Sequence, residues 1–301
     1  MNPVQDTVFP ANKGRKSYQE IVEEIVKDQE VAIFIQQHQL NQEEIARSIS
    51  KFYEYRTERD KFLQKDLTYI AAGYKPILIM NEGYADVSYE ETEELIELRR
   101  SEAIRNRIQL ISLPENLRAV TAADLDFTDV NRLPLYEAMN DFLTRVGTNN
   151  QGFYIFGNFG IGKSYLMAYL AHQLSSRHQL STIMLHYPTF VVDVKNAIGD
   201  GSVKERIDHV KSAQVLILDD IGAEQHSSWV RDDVLQVILQ YRMQENLPTF
   251  FTSNFSLDDL EKHFSSGKSG DETWQAKRVM ERIRFLAKEI HLVGDNRRHR
   301  P

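Results

Sequence analysis

The sequence predicts an α/β protein in which a mostly parallel sheet flanked by helices is preceded by a small, mainly helical N-terminal domain. Three observations carry this. From Ser17 to about Lys65, apolar residues recur at helical spacing among Glu, Gln and Lys. Beyond Asp124, short apolar runs alternate with helical patterns. One of those runs opens into a glycine-rich loop that leads straight into a helix. Alternation favours parallel pairing, because a strand rejoins its neighbour in the same direction only through a crossover that covers a face of the sheet.

The chain's 301 residues correspond to roughly two domains and can bury a full core without covalent staples. It contains no cysteine, which fits a reducing compartment and excludes disulfides and any zinc site with thiolate ligands. No two of the nine histidines stand at i and i+4. The opening residues Met1–Asp6 lack a basic stretch followed by an apolar one, and no apolar run approaches the ~20 residues that span a bilayer. A cytoplasmic protein with no membrane partner is therefore expected. A formal net charge of −8 argues against coating nucleic acid wholesale. From Gln275 onward, however, eight Lys/Arg face three Asp/Glu, an excess that a solvated helix explains as readily as a binding surface.

In chain order, Ile21, Ile25, Phe34, Ile35, Ile45, Ile49, Phe52 and Tyr53 form the apolar stripe of amphipathic helices. Asn41 followed by Glu44 has the pattern of a capping box and starts a second helix, because the Asn side chain accepts from an otherwise orphaned backbone N–H. Gly73 to Tyr89 reads as strand and turn, with Lys75-Pro76-Ile77-Leu78-Ile79-Met80 before Asn81-Glu82-Gly83. A charged helix is predicted from Glu90 to about Ile111, ended by Leu113-Pro114-Glu115-Asn116. The chain so divides into a mainly helical domain over 1–110, a linker over 111–124 and an α/β domain over 125–301. In the last, Gly152–Phe156, Thr182–His186, Val215–Leu218, Thr249–Ser253 and Glu289–Val293 are the predicted strands.

The chemistry lies at the ends of those strands. Phe153-Tyr154-Ile155-Phe156 feeds Gly157-Asn158-Phe159-Gly160-Ile161-Gly162-Lys163-Ser164, and Tyr165 to Leu170 continues as a helix. Strand, glycine loop, Lys, Ser and helix in that order make a P-loop. Its glycines let backbone N–H groups point inward at phosphate oxygens, and the helix N-terminus adds a positive dipole. Lys163 reaches the outer phosphates of ATP, and Ser164 offers its hydroxyl to Mg2+. Such a site needs a carboxylate at the end of a neighbouring strand, and Val215-Leu216-Ile217-Leu218-Asp219-Asp220 supplies two, as a Walker B sequence does. Asp219 is the expected metal holder. Asp220 orients or deprotonates the attacking water, on a shorter arm than the more usual Glu, which predicts slow hydrolysis. Glu224 either shares that role or is a solvated loop acid. Thr249-Phe250-Phe251-Thr252-Ser253-Asn254 is an apolar strand ending in an amide, and Asn254 is either a sensor of the terminal phosphate or an ordinary turn residue. Arg278, Arg282 and Arg284 lie on an amphipathic stretch. A guanidinium donated across a subunit boundary is worth roughly a thousandfold or more in other nucleotidases; otherwise the stretch is a basic helix face.

The assembled motifs resemble the AAA+ replicative helicase loaders of bacteria, the DnaI/DnaC family, and its DnaI members most. The residues that carry the resemblance are Gly157 to Ser164, Asp219-Asp220-Ile221-Gly222-Ala223-Glu224, Ser228-Trp229-Val230-Arg231-Asp232, Ile238-Leu239-Gln240-Tyr241-Arg242-Met243, Thr252-Ser253-Asn254 and Arg278 to Arg284. The resemblance is detailed from about Asp124 to the end and looser over the N-terminal helices and Gly73-Tyr74-Lys75-Pro76. It implies a C-terminal AAA+ P-loop NTPase domain that binds ATP and single-stranded DNA, and an N-terminal domain that grips the hexameric replicative helicase. By position, Lys163 and Ser164 are the P-loop contacts, Asp219 and Asp220 the Walker B pair, Asn254 the sensor, Arg282 the arginine finger and Arg297 a later sensor arginine.

Members of the family commonly hold zinc in the N-terminal domain. With no cysteine to build that site, no zinc is expected here, and the domain should instead be packed by Ile70, Ile77, Leu78, Ile79 and Tyr84. The family sets single strands against the AAA+ surface that faces the central axis. Over Tyr187 to Lys211 that surface offers Lys195, Lys204, Arg206 and Lys211 to phosphates, with Phe190 read as core. The implied function is ATP-dependent loading of the helicase onto single-stranded DNA during replication initiation or restart, by a weak ATPase, stimulated by partner or DNA, that self-associates in an ATP-dependent ring or spiral. Two other readings share the motifs: an ATPase helper of a transposase, and a nucleotide-dependent adaptor that ATP stabilises by mass action without turnover.

Overall fold

The computed structural model describes residues 18–225, 227–267 and 270–297; Met1–Asp6 and Ser17, which enter the reading above, lie outside them. The chain forms two compact units, one ending at Arg100 and one beginning at Ser101.

In the first unit, helices Tyr18–Val26 (α1), Gln29–Gln37 (α2) and Gln42–Leu63 (α3) precede an antiparallel hairpin of Tyr74–Asn81 (β1) and Tyr84–Glu91 (β2). The capping box is formed: Asn41 Oδ1 accepts from Glu43 N and Glu44 N at 2.9 and 3.0 Å, and Asn41 N donates to Glu44 Oε2 at 2.8 Å. Asp28 caps α2, and the guanidinium of Arg59 on α3 closes on both its oxygens at 2.8 Å, which fastens the two helices together. The core comprises Ile25, Val31, Phe34, Leu40, Ile49, Phe52, Tyr55 and Ala85.

Two expectations are corrected in this unit. Tyr53 is 57% exposed and Tyr55 takes the core position, because the buried face of α3 advances through Ile49, Phe52 and Tyr55 at helical spacing. Of the five residues expected to fill the unit, Leu78 alone packs against its core, and Ile70 is 92% exposed. The reason is the pleat. Helix α3 covers one face of the hairpin, which receives Leu78 and Met80 from β1, and the period of two carries Ile77 and Ile79 to the other.

The predicted helix from Glu90 to Ile111 is shorter than expected. β2 continues to Glu91, the helix covers Glu93–Asn106 (α4), and Ile108–Ile111 is a strand (β3) whose apolar side chains pair it in parallel along a sheet edge. Single 3₁₀ turns follow at Glu115–Ala119, Ala122–Asp124 and Val130–Arg132. The second unit continues with Leu133–Arg145 (α5), Gly152–Phe156 (β4), Lys163–His178 (α6), Thr182–His186 (β5), Tyr187–Asn196 (α7), Val203–Lys211 (α8) and Val215–Asp219 (β6). After a π-helical turn at Val230–Leu235 come Gln236–Gln244 (α9), Thr249–Ser253 (β7) and Leu257–Ser265 (α10), then the two-residue strands Ser266–Gly267 (β8) and Gly270–Asp271 (β9), Thr273–Leu286 (α11) and Ala287–His291 (β10). The last strand begins two residues before the predicted Glu289.

Six parallel strands form one sheet in the order β10-β4-β7-β6-β5-β3. All C-terminal strand ends therefore fall on one edge, the edge at which open α/β sheets bind ligands. Helices cover both faces. Leu166, Met167 and Leu170 of α6 and Phe142 of α5 fill one cluster, and Ile238, Leu239, Val279 and Ile283 of α9 and α11 fill the other. At the opposite edge the fully buried Arg242 spends its guanidinium on neutral acceptors: Thr249 Oγ1 at 2.8 Å and the carbonyls of Lys211, Ala213 and Pro248 at 2.9, 2.7 and 2.7 Å.

Candidate nucleotide-binding site

The loop Gly157 to Gly162 lies between β4 and α6, with Gly162 at the helix N-cap. Ile161 is buried beneath the loop and Phe159 projects from it, 65% exposed. The loop borders a cavity of about 560 Å³. Into it come Lys163 and Ser164 from the start of α6, Asp219 and Asp220 from the end of β6, and Thr252 and Asn254 from the end of β7. Parallel register brings them together, since Leu218 pairs with Phe251 and Phe156 with Ser253.

Lys163 is 8% exposed and its Nζ donates to Gly157 O, Asn158 O and Asn254 Oδ1 at 2.8, 2.9 and 2.8 Å. Asn254 in turn donates from Nδ2 to Asp220 Oδ1 at 2.9 Å. A second chain runs beside the first. Ser164 Oγ donates to Asp219 Oδ2 at 3.0 Å, Thr252 Oγ1 donates to Asp219 Oδ1 at 2.7 Å, and Asp220 N donates to Thr252 Oγ1 at 2.9 Å. Burial pushes the Asp219 carboxyl above the ordinary carboxylate range, opposed by the bonds from Thr252 and Ser164. Asp220 adopts φ +61, the left-handed region that costs most side chains about 1 kcal/mol or more, and this turns its carboxylate toward Asn254 and the cavity.

The remaining predicted residues separate into those at the cavity and those away from it. Arg297 lines it, its guanidinium held by Asp126 and Asp129 at 3.3 and 2.8 Å. Glu224 is not a solvated loop acid: it is buried, its Oε2 accepts from Gly222 N at 2.7 Å, and burial raises its pKa to about 7. None of Arg278, Arg282 and Arg284 lines this cavity. Arg282 donates to Gln240 at 2.8 Å, and Arg284 pairs with Asp258 and Glu261 at 3.3 and 2.9 Å. Phe190 is core, as expected. Of the basic residues proposed for DNA, Lys204 and Arg206 are exposed on α8 and Lys195 is half-buried on α7, whereas Lys211 pairs with Asp208 and lies over the Tyr241 ring at 5.2 Å.

Sequence reasoning gave no role to Thr252, His186 or Arg132. A hydroxyl in an otherwise apolar strand is the signal that marks Thr252. His186 ends β5 opposite Asp219, with Nε2 3.9 Å from Asp220 Oδ2 and Nδ1 2.8 Å from Thr189 Oγ1. Buried Arg132 donates to Ile161 O at 2.7 Å from outside every motif. Leu117 and Leu125, from the stretch read as linker and its edge, form an apolar wall of the cavity with Tyr165.

A glycine loop with its lysine, a strand-end acid pair and a strand-end amide on one edge of a parallel sheet defines a P-loop ATP-binding protein of the AAA+ type. Residues 82–301 match the family of IstB-like ATP binding proteins, and residues 1–89 match the primosomal protein DnaI N-terminus. The replicative helicase loader DnaI of Bacillus subtilis (strain 168) is 35% identical over 294 residues, 95% of this chain and 94% of that protein. Among solved structures, a candidate primosome component from Streptococcus pyogenes serotype M3 is 52% identical, over 65% of this chain and 98% of that one, with a TM-score of 0.56. The crystal structure of DnaI is 39% identical, over 62% of this chain and 98% of that one, with a TM-score of 0.58. The chain belongs to the DnaI family of replicative helicase loaders. Among the described residues, no helix is long and apolar enough to cross a membrane.

Proposed function

We propose that this protein uses ATP to load the hexameric replicative helicase onto single-stranded DNA during replication initiation or restart, in the cytoplasm. The observation that carries the ATP chemistry is the pair of hydrogen-bonded chains, Lys163–Asn254–Asp220 and Ser164–Asp219–Thr252, converging at one strand edge. Lys163 faces the outer phosphates, Asn254 links it to Asp220, and Asp220 orients the attacking water and takes up its proton. Ser164 Oγ and an Asp219 oxygen, 3.0 Å apart, fit one hard cation. When bound, Mg2+ supplies charge neutralisation on the phosphates. Arg282, which does not line its own cavity, serves a neighbouring copy in a ring or spiral.

The first unit, with residues to about 110, is the helicase-gripping part in this reading, and Lys195, Lys204 and Arg206 contact DNA phosphates, with Lys211 secondary because it is already paired. The match to the IstB-like family raises the transposase-helper reading. The match of residues 1–89 to the DnaI N-terminus and the similarity to a loader over 95% of the chain favour the loader.

Capture of the cognate helicase by the intact chain tests the reading, together with phosphate release in the presence of helicase and DNA. A loader retains the helicase and Asp220→Asn loses phosphate release while still binding ATP. No capture of the helicase sinks the loader; capture without phosphate release from the unmodified chain leaves the adaptor.

A further inference from the structure

After β10 the chain runs along the P-loop and reaches the cavity at Arg297. Leu292 N donates to Phe156 O at 2.8 Å, and Arg297 N donates to Gly160 O at 2.9 Å, so one short segment is bonded to both the strand that enters the P-loop and the loop itself. The fit is close. A Cβ on Gly157 would stand 2.2 Å from Leu292 O, and one on Gly160 would stand 2.1 Å from Asn296 Oδ1. Both glycines also hold positive φ, +154 and +75. Gly157 thus requires glycine for the backbone of the segment lying against it as well as for the turn of the loop, whereas at Gly160 the neighbour is a side-chain tip and the positive φ is what favours glycine.

The far end of the segment is fixed by charge. Arg297 Nη2 meets Asp129 at 2.8 Å and Asp126 at 3.3 Å, and its backbone and side chain thereby join the P-loop to the turn that precedes α5. Asp129 is shared: Arg132 Nε lies 3.4 Å from the same oxygen, and Arg132 Nη2 holds Ile161 O at 2.7 Å. Two arginines that share one carboxylate therefore hold adjacent residues of the loop, Arg297 through its backbone N–H at Gly160 and Arg132 through its guanidinium at Ile161. Arg297 and Arg132 both line the cavity.

We propose that residues 292–297 are a strap that retains bound nucleotide, closed by the Arg297 ion pairs with Asp126 and Asp129. The N–H groups of the loop are what would hold phosphate, and a loop movement that loosens them shifts Gly160, whose carbonyl is bonded to Arg297 N. With the latch made, such movement breaks the Arg297 bonds as well. The latch acts on exchange, so its loss speeds dissociation of nucleotide rather than preventing the site from forming. The proposal rests on the nucleotide-site reading.

The test uses the full chain and stopped-flow displacement of a fluorescent ADP analogue with Mg2+ present. Arg297→Ala should raise the dissociation rate about tenfold, Arg297→Asp should raise it further, and Asp126→Arg placed in the Arg297→Asp chain should bring it back to within about threefold of the original. Thermal unfolding without nucleotide should stay unchanged in Arg297→Ala. Dissociation within twofold of the original in both single variants, or no recovery in the charge swap, overturns the strap. An unmodified chain that gives no nucleotide signal removes the nucleotide site, and the strap with it.

Discussion

Lys163 Nζ and Asn254 Oδ1 stand 2.8 Å apart across 91 residues of chain, and the same amide donates to Asp220 at 2.9 Å. The side chains proposed to contact the outer phosphates and to handle water are thus joined by a single amide. Asn254→Ala should slow phosphate release by roughly a hundredfold, the usual cost of removing one preorganised polar group from a reacting centre, while ATP affinity changes by about threefold or less. Single-turnover hydrolysis alongside equilibrium binding separates the two. An equal loss in both would mean that Asn254 merely holds Lys163 in place.

Thr252 bridges the two acids, donating to Asp219 and accepting from Asp220 N. Thr252→Val keeps the shape of the strand and leaves Asp219 buried with one donor fewer, so the expected result is weaker Mg2+ dependence together with a loss of about 1–3 kcal/mol of stability. A magnesium titration of nucleotide affinity and urea unfolding read the two effects. Unchanged values in both would exclude a bridging role.

Glu224 gives a pH signature. Its folded pKa, about 7, lies above the ordinary 4.5, so between those values the folded chain holds a proton that the unfolded chain has released. Stability is therefore greatest below about 4.5 as far as this group is concerned and falls as pH rises through 7, by roughly 3 kcal/mol. Glu224→Gln, which keeps an acceptor for Gly222 N, should flatten that fall and raise stability at pH 8. Asp219 is raised in the same direction and leaves a residual slope. Denaturant midpoints of both chains between pH 5 and 8 provide the check, and parallel curves would contradict it.

Arg242 is a second buried charge, lowered by burial to about 9 and therefore still protonated at neutral pH. Arg242→Met fills much of the space but leaves three carbonyls without their donor, which predicts a loss of roughly 3–5 kcal/mol. Arg242→Lys should recover part of it, since one ammonium cannot span the positions that the planar fork reaches. Urea midpoints of the second unit should rank the original first, Lys next and Met last.

In the first unit Asp28 is desolvated, yet Arg59 and the Val31 N–H hold its carboxyl below the ordinary 3.8. A depressed acid stabilises the fold above the unfolded value and loses that contribution as pH falls through the folded one. Asp28→Asn should cost about 1–3 kcal/mol at pH 7 and progressively less as pH falls below the ordinary carboxylate range. Acid titration of helical circular dichroism in the isolated unit and in the whole chain would show whether the loss is local.

Much of the site could be read before any coordinates because its parts are local. A P-loop is a run of eight residues whose glycines, lysine and serine each answer a stereochemical demand, and Asp219, Asp220 and Asn254 each follow an apolar strand directly. Continuous apolar runs between helical patterns located the strands after residue 125, and a side-chain cap pattern located the start of α3, for the same reason: neighbours in sequence share one element. Only the tertiary structure decided what depends on residues far apart. It buried Glu224, turned Ile70 and Ile79 outward, placed Tyr55 rather than Tyr53 in the core, and added β3 as a sheet edge. It also brought Arg132, Asp129 and Arg297 around the loop that the sequence had shown unaided. Burial and charge pairing follow from which elements pack together, and no short stretch of sequence contains that information.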